Sequence, residues 1–142
     1  MNYQPKNIRT FIGAKNYKES RAFYKALDFE EVELFDNMCL FKVNDQLSFY
    51  LQDYYVKDWI NNSMVFLEVD DVESCWAEIE QKGLQHQYKQ VKISEIKTFE
   101  WGREFFLHDP SGVLWHFDSF LKFRSSFFLK VKNHPANLFT LS

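Results

Sequence analysis

A repeat in the order of predicted elements constrains the fold of this chain most strongly. Strand-like and helix-like patterns predict one strand, one helix and three strands over residues 8–54, and the same order over residues 63–120. Identity between the two copies is low, so the element order supports the repeat more than individual residues do. The sequence therefore predicts an α+β fold of two βαβββ modules in tandem, within a single domain of residues 1–142 that ends in a tail from residue 121 onward.

Local signals place the two predicted helices. Asn16 is a favourable N-cap and Glu19 follows it in capping-box position, so the first helix is predicted to begin there. Asp70 or Asp71 caps the second helix, and Gly83 ends it because glycine tolerates the left-handed conformation. The predicted strands are residues 8–14, 30–35, 38–43, 46–52, 64–69, 88–93, 99–107 and 113–120.

A tight hairpin turn is predicted at residues 109–112. Asp109 can accept hydrogen bonds from the backbone ahead of it, and Gly112 can adopt a positive φ. After the turn, alternation along the strand separates two faces, one with Val113, Trp115 and Phe117 and the other with Leu114, His116 and Asp118. We interpret the first face as core and the second, which carries ionisable groups, as part of a ligand pocket.

Composition and charge argue against several classes of partner. The net charge of −3 comes without a basic stripe before the tail, so no nucleic-acid partner is expected. No apolar run approaches the length of a membrane span, and the first residues lack the apolar core of a signal peptide. The two cysteines, Cys39 and Cys75, form no disulfide framework. The expected location is therefore the cytoplasm.

Three segments carry a resemblance to a known family. They are Arg21-Ala22-Phe23-Tyr24, Val69-Asp70-Asp71-Val72, and the run from Trp101-Gly102-Arg103 to Asp109-Pro110-Ser111-Gly112. With the repeat, they make residues 8–120 resemble the vicinal oxygen chelate superfamily, which includes glyoxalase I, the extradiol dioxygenases and the bleomycin-resistance binding proteins. The resemblance implies two modules whose curled sheets form a cavity. It also implies a homodimer, since members often dimerise, some with pockets between chains.

The resemblance also identifies four positions that hold a divalent metal in the catalytic members. They correspond here to Arg9, Met64, His116 and either Tyr50 or Gln52, of which Tyr50 is preferred because its strand then mirrors that of the second module. Arginine offers no lone pair, and a thioether suits soft Cu(I) better than the ions those enzymes use. His116 alone is a usual ligand. The sequence therefore predicts no metal and no cofactor.

The same alignment predicts a cavity that holds an organic molecule. Its candidate lining residues are Arg9, Phe11, Tyr50, Gln52, Met64, Phe66, Glu68, His116 and Asp118, with Trp101 at the rim. Aromatic rings with a few polar groups suit an aromatic ligand with an anionic group that Arg9 would pair. A different interpretation is that Arg9 pairs internally with Glu68 or Asp118.

The leading functional hypothesis is a metal-independent small-molecule-binding protein that resembles the drug-sequestering bleomycin-resistance proteins. Sequestration needs a preformed cavity and no catalytic residue, which suits the missing metal ligands. The first alternative is a metal-dependent lyase similar to glyoxalase I, or a dioxygenase-related enzyme, with an atypical site. The second is an interaction protein whose pocket has filled in. The tail, residues 121–142, is expected to pack across the domain or a partner chain.

Overall fold

Two sheets and a small number of helices make up the computed structural model, which describes residues 2–121. The elements of the first module are β1 (Phe11–Gly13), α1 (Tyr17–Ala26), β2 (Glu30–Phe35), β3 (Met38–Lys42) and β4 (Ser48–Gln52). A short helix, α2 (Lys57–Asn61), leads to the second module, β5 (Met64–Glu68), α3 (Val72–Lys82), α4 (Leu84–Gln87), β6 (Lys92–Ile93), β7 (Lys97–Thr98), β8 (Gly102–His108) and β9 (Leu114–Phe120). The predicted α+β fold of paired modules is confirmed. The prediction for the tail lies outside the described residues beyond Leu121.

The two sheets share one topology. The first has the strand order β1-β4-β3-β2, and the second has the order β5-β9-β8-β6 with β7 paired to β8. In each sheet the first and last strands of the module lie side by side and run parallel. This pairing sets Phe11 beside Tyr50 in the first sheet, and Phe66 beside His116 in the second. The repeat in the sequence is thus a repeat in strand pairing.

The predicted helix ends agree with the caps. The Asn16 side chain accepts a hydrogen bond from the backbone N–H of Glu19 at 3.0 Å. Asp71, and not Asp70, caps α3 by accepting from the N–H of Glu73 at 3.1 Å. Gly83 ends α3 in the left-handed region with φ of 64°. These ends were predictable because each depends on residues within one turn of chain.

Several elements differ from the prediction. The strand predicted at residues 8–14 is only β1, the strand predicted at residues 99–107 begins at Gly102, and β7 was not predicted. The predicted strand at residues 88–93 is reduced to β6, because α4 and a turn occupy the chain before it. Tyr88 instead packs edge-on against Phe23 of the first module, with ring centroids 5.8 Å apart. The segment 53–63, for which no helix or strand was predicted, contains α2, and Ile60 of that helix is buried. Among residues 2–121, no helix combines the length and apolarity needed to cross a membrane.

Both modules contribute to one hydrophobic core, with Tyr24 near its centre. The Tyr24 ring lies 5.1 Å from that of Phe49 and 5.8 Å from that of Trp115, which belong to different sheets. The Tyr24 hydroxyl donates to the Asp109 carboxylate at 2.7 Å and accepts from the indole N–H of Trp115 at 3.1 Å. Val113, Trp115 and Phe117 are all buried in this core, as predicted from the strand pattern.

Candidate functional site

Four predicted ligand residues lie on the face of the first sheet that points away from the core. We call Arg9, Phe11, Tyr50 and Gln52 the Arg9 surface. Phe11 and Tyr50 are neighbours in register and their rings stack with centroids 4.9 Å apart. Phe11 is 45% exposed, and Tyr50 is half-buried. The result is a flat aromatic patch that solvent, or a ligand, can reach.

The Arg9 guanidinium is held against this patch. Its Nε donates to Ser48 Oγ at 2.7 Å and its Nη1 donates to the Tyr50 hydroxyl at 3.4 Å. The guanidinium carbon lies 5.7 Å from the centroid of the Tyr50 ring, within cation–π range. Within residues 2–121, Arg9 forms no ion pair, so the predicted internal pairing with Glu68 or Asp118 is not seen. Its charge has no carboxylate neighbour in ion-pair contact in the described chain.

The predicted ligand residues of the second sheet divide by exposure. Met64 and Phe66 on the edge strand β5 are 48% and 37% exposed, and Glu68 on the same face is exposed as well. The residues paired with them in register on β9 are all buried, and they are Leu114, His116 and Asp118. Phe66 stacks on the His116 ring with centroids 6.5 Å apart. His116 and Asp118, which were expected to line a cavity, are therefore buried beside the more exposed residues of β5.

The structure places the ten predicted residues in separate groups. Arg9, Phe11 and Tyr50 contact one another, and so do Phe66 and His116, but no described hydrogen bond, ion pair or ring contact joins the two groups. A cavity of about 200 Å³ lies between the modules, and Ile8, Thr10, Phe49, Phe66 and Trp115 are among its lining residues. Arg9 and Phe11 do not line it. Trp101, expected at the rim, is buried and stacks on Phe99 at 5.2 Å.

A second group of ionisable residues lies inside the second sheet. Glu104 on β8 is directly opposite Asp118 on β9, and Phe106 is opposite His116. One possible ligand atom from each of Glu104, His116 and Asp118 lies within 4.8 Å of the others, and all three side chains are buried. We call these three residues the carboxylate–histidine cluster. Within it, His116 Nδ1 and Glu104 Oε2 are 3.9 Å apart.

Sequence reasoning missed Glu104, although a signal was present. The turn at residues 109–112 fixes the hairpin register, and counting back from it pairs Glu104 with Asp118. In this environment burial, and then the neighbouring carboxyl groups of Glu104 and Glu68, raise the pKa of Asp118 to about 9. Two carboxylates this close cannot both stay ionised at neutral pH unless a cation compensates them.

The four positions that the resemblance identified as metal ligands carry side chains that fit a divalent ion poorly. The Arg9 guanidinium and the Tyr50 hydroxyl face each other, so a cation held by that pair would meet a fixed positive charge. Met64 is a half-exposed thioether on β5, whereas His116 is fully buried. This donor set does not suit the hard or borderline divalent ions that such enzymes use.

The fold and the repeat are those of a known family, and a family model matches residues 8–117. The chain belongs to the Glyoxalase/Bleomycin resistance protein/Dioxygenase superfamily. No match was found among curated proteins.

Solved structures of the same fold include several that bind drugs. A bleomycin-binding protein complexed with bleomycin is 19% identical, with a TM-score of 0.65, and covers 81% of this chain and 98% of its own. The bleomycin-binding protein of Streptomyces verticillus, complexed with copper(II)-bleomycin, is 17% identical with a TM-score of 0.66, over 82% of this chain and 98% of its own. The bleomycin resistance determinant of transposon Tn5 is 18% identical with a TM-score of 0.63, over 80% and 98%.

Proposed function

We propose that this protein binds a planar, anionic small molecule at the Arg9 surface, and that this binding needs no metal ion. The observation that carries the proposal is an arginine held against an accessible aromatic patch without a carboxylate partner among the described residues. Hydrogen bonds from Arg9 to Ser48 and Tyr50 fix the guanidinium before any ligand arrives. Such preorganisation reduces the entropy that binding costs.

The chemistry of the Arg9 surface selects the class of ligand. A guanidinium recognises carboxylate, sulfonate or phosphate groups through charge-assisted hydrogen bonds. The exposed Phe11 ring, which stacks on Tyr50, offers apolar area to a ring system. The names of the similar structures support a drug-like ligand class, and their low identity leaves the particular ligand to this chain's own residues.

A homodimer completes the proposed site. Met64 and Phe66 are exposed on β5, an edge strand of the second sheet, and Phe11 is exposed on β1, an edge strand of the first. Apolar side chains on open strand edges favour association with a second copy of the chain. A partner placing its β5 face over the Arg9 surface would enclose a ligand between the two groups of predicted residues.

We place the protein in the cytoplasm because its cysteines are free thiols. Cys39 lies on β3 and Cys75 on α3, and burial raises the pKa of both thiols, to about 11 for Cys75. Thiols of this kind remain protonated and unreactive.

Titration with anilinonaphthalene sulfonate, a planar anionic fluorophore, tests the role of Arg9. Losing a charged partner buried in a complex costs about 2 kcal/mol or more, so Arg9→Gln should weaken binding about 30-fold at 1.4 kcal/mol per tenfold. Lys15→Gln is the matched control, since the Lys15 ammonium also lies over a tyrosine ring, 5.6 Å from the Tyr55 centroid. It should leave affinity unchanged, and both variants should keep the wild-type melting temperature. Equal affinity of Arg9→Gln and wild type would refute the proposal.

A further inference from the structure

We propose that the carboxylate–histidine cluster binds one divalent transition-metal ion inside the second sheet, apart from the Arg9 surface. The three side chains come from paired strands, so their spacing is set by the hairpin register and not by a flexible loop. The expectation of no metal rested on four positions of the family, and Glu104 and Asp118 are not among them. This cluster is therefore a different donor set that shares only His116 with those positions.

The distances suit an ion after a small adjustment. The possible ligand atoms lie within 4.8 Å of one another, and the His116 Nδ1 to Glu104 Oε2 distance is 3.9 Å. Ligand atoms bound at about 2.1 Å in tetrahedral geometry are about 3.4 Å apart. Rotations of the Glu104 and Asp118 side chains that bring these atoms about 1 Å closer would complete the geometry.

The charges of the cluster call for a cation. Neither carboxylate oxygen of Asp118, nor Oε2 of Glu104, accepts a hydrogen bond from another residue type in the described chain, although both residues are almost completely buried. No lysine or arginine of residues 2–121 forms an ion pair with either carboxylate. Buried carboxylates are normally paired, hydrogen-bonded or bound to a metal. Once an ion has displaced the proton that they share, the two carboxylates match the charge of one divalent ion.

The ligand types indicate which ions fit. Imidazole nitrogen favours zinc, iron, nickel and copper, whereas carboxylate oxygen also accepts manganese. One imidazole with two carboxylates therefore suits Zn²⁺, Mn²⁺ or Co²⁺ better than the all-oxygen sites of Ca²⁺ or Mg²⁺. The rings of Phe66 and Phe106 contact His116 and limit the access of water to this region.

Titration of the full chain with metal salts tests this site. After EDTA treatment and desalting, calorimetry with ZnCl₂, MnCl₂ and CoCl₂ separately should show at least one ion binding with a stoichiometry of one per chain. Asp118→Asn and Glu104→Gln, which preserve side-chain shape, should each weaken that binding at least about tenfold. The control is His108→Asn on β8, which retains the cluster and should change affinity by less than about threefold.

A measurement on the wild-type protein tests the site even if the variants fail to fold. Bound Co²⁺ should give the visible absorption of a low-symmetry site with nitrogen and oxygen ligands, without the intense near-ultraviolet charge-transfer band of a thiolate ligand. The proposal would be overturned if none of the three ions bound the wild type, or if Asp118→Asn bound the ion equally well. An equal loss of affinity in His108→Asn, or a thiolate band, would also overturn it. Binding of anilinonaphthalene sulfonate should persist in Asp118→Asn, which separates this site from the Arg9 surface.

Discussion

At the scale of single residues, Asp109 organises the hairpin that carries the cluster. Its Oδ1 accepts hydrogen bonds from the backbone N–H groups of Ser111, Gly112 and Val113, each at 2.9 Å. Its Oδ2 accepts from the Tyr24 hydroxyl at 2.7 Å. One buried carboxylate thereby fixes the turn and joins it to a helix of the other module. The turn is structural, and its geometry sets the register of β8 and β9.

Tyr24→Phe should destabilise the protein by about 2 kcal/mol. The change leaves the Asp109 Oδ2 and the Trp115 indole N–H without their buried partner, and each buried group that loses its partner costs about 1–3 kcal/mol before relaxation. Chemical denaturation measures this loss. Tyr88→Phe is the control, because the Tyr88 hydroxyl forms none of the described hydrogen bonds, and it should cost under about 0.5 kcal/mol. Equal losses in the two variants would show that the Tyr24 hydroxyl does not anchor the turn.

The stability of the protein should fall as the pH rises from about 4 to about 6. Burial raises the pKa of Asp109 to about 6, against the lowering effect of the hydrogen bonds from Tyr24 and the turn. An unfolded aspartate has a pKa of about 3.9, so the folded protein holds this proton more tightly than the unfolded chain does. The stabilisation that the proton supplies is lost as the pH rises from the unfolded pKa to the folded pKa.

The comparison of wild type with Asp109→Asn isolates this effect. Asn resembles the protonated carboxyl, so the variant should lack about 2–3 kcal/mol of the decline between pH 4 and pH 7. The raised pKa of Asp118 contributes to the decline in both proteins and cancels in the difference. Parallel unfolding free energies for the two proteins across this pH range would contradict the assigned pKa.

At the scale of elements, sequence patterns located what depends on neighbours in the chain. Asn16, Asp71, Gly83 and Gly112 each act within one turn, so caps and turns could be predicted. The prediction of a strand over the whole of residues 88–93 was wrong. Tyr88 packs on Phe23, and a contact between modules cannot be predicted from a local sequence pattern.

The candidate site could also be predicted only in part from the sequence. The stacking of Phe11 on Tyr50 agrees with a shared face of paired strands, which the repeat implies. The burial of His116 and Asp118 could not be read from alternation, because alternation separates two faces without showing which of them is covered. The position of Glu104 opposite Asp118 depends on the hairpin register, which can be counted back from the turn.

Gly102→Ala should destabilise the pairing of β8 with β9. A Cβ at this position would lie 2.2 Å from the backbone oxygen of Ser119 and 3.1 Å from the Phe120 Cα, both of them fixed backbone atoms. The strands would have to separate, at a cost of about 2 kcal/mol or more. Gly83→Ala is the control, since its Cβ meets only His86 at 3.8 Å, and the left-handed φ costs about 1 kcal/mol. Denaturation showing Gly102→Ala to be the milder change would contradict this packing.

At the scale of the whole molecule, the two sheets differ in how their outer faces are covered. The Arg9 surface is accessible, whereas the matching face of β9 is buried and ionisable. We therefore propose ligand recognition on the first sheet and ion binding within the second. A homodimer would bring the exposed β5 of one chain to the accessible face of another.

Light scattering should give twice the chain mass of 17.2 kDa at micromolar concentration. Met64→Glu places a charge on the exposed face of edge strand β5 and should shift the protein toward monomer, because burying an unpaired charge in an interface is costly. Val56→Glu, at a comparably exposed position at the start of α2, is the control and should remain dimeric. A wild-type mass of one chain would refute the dimer.

Metal-independent recognition at the Arg9 surface is tested most directly by titrating wild-type protein with anilinonaphthalene sulfonate in the presence and absence of excess EDTA. Because Arg9, Phe11 and Tyr50 supply the charge and the flat surface, the dissociation constant should be the same in both titrations. EDTA is expected to lower the melting temperature if the cluster holds an ion, without changing the dye affinity. Loss of dye binding in EDTA, with recovery on adding back one equivalent of metal, would contradict the account.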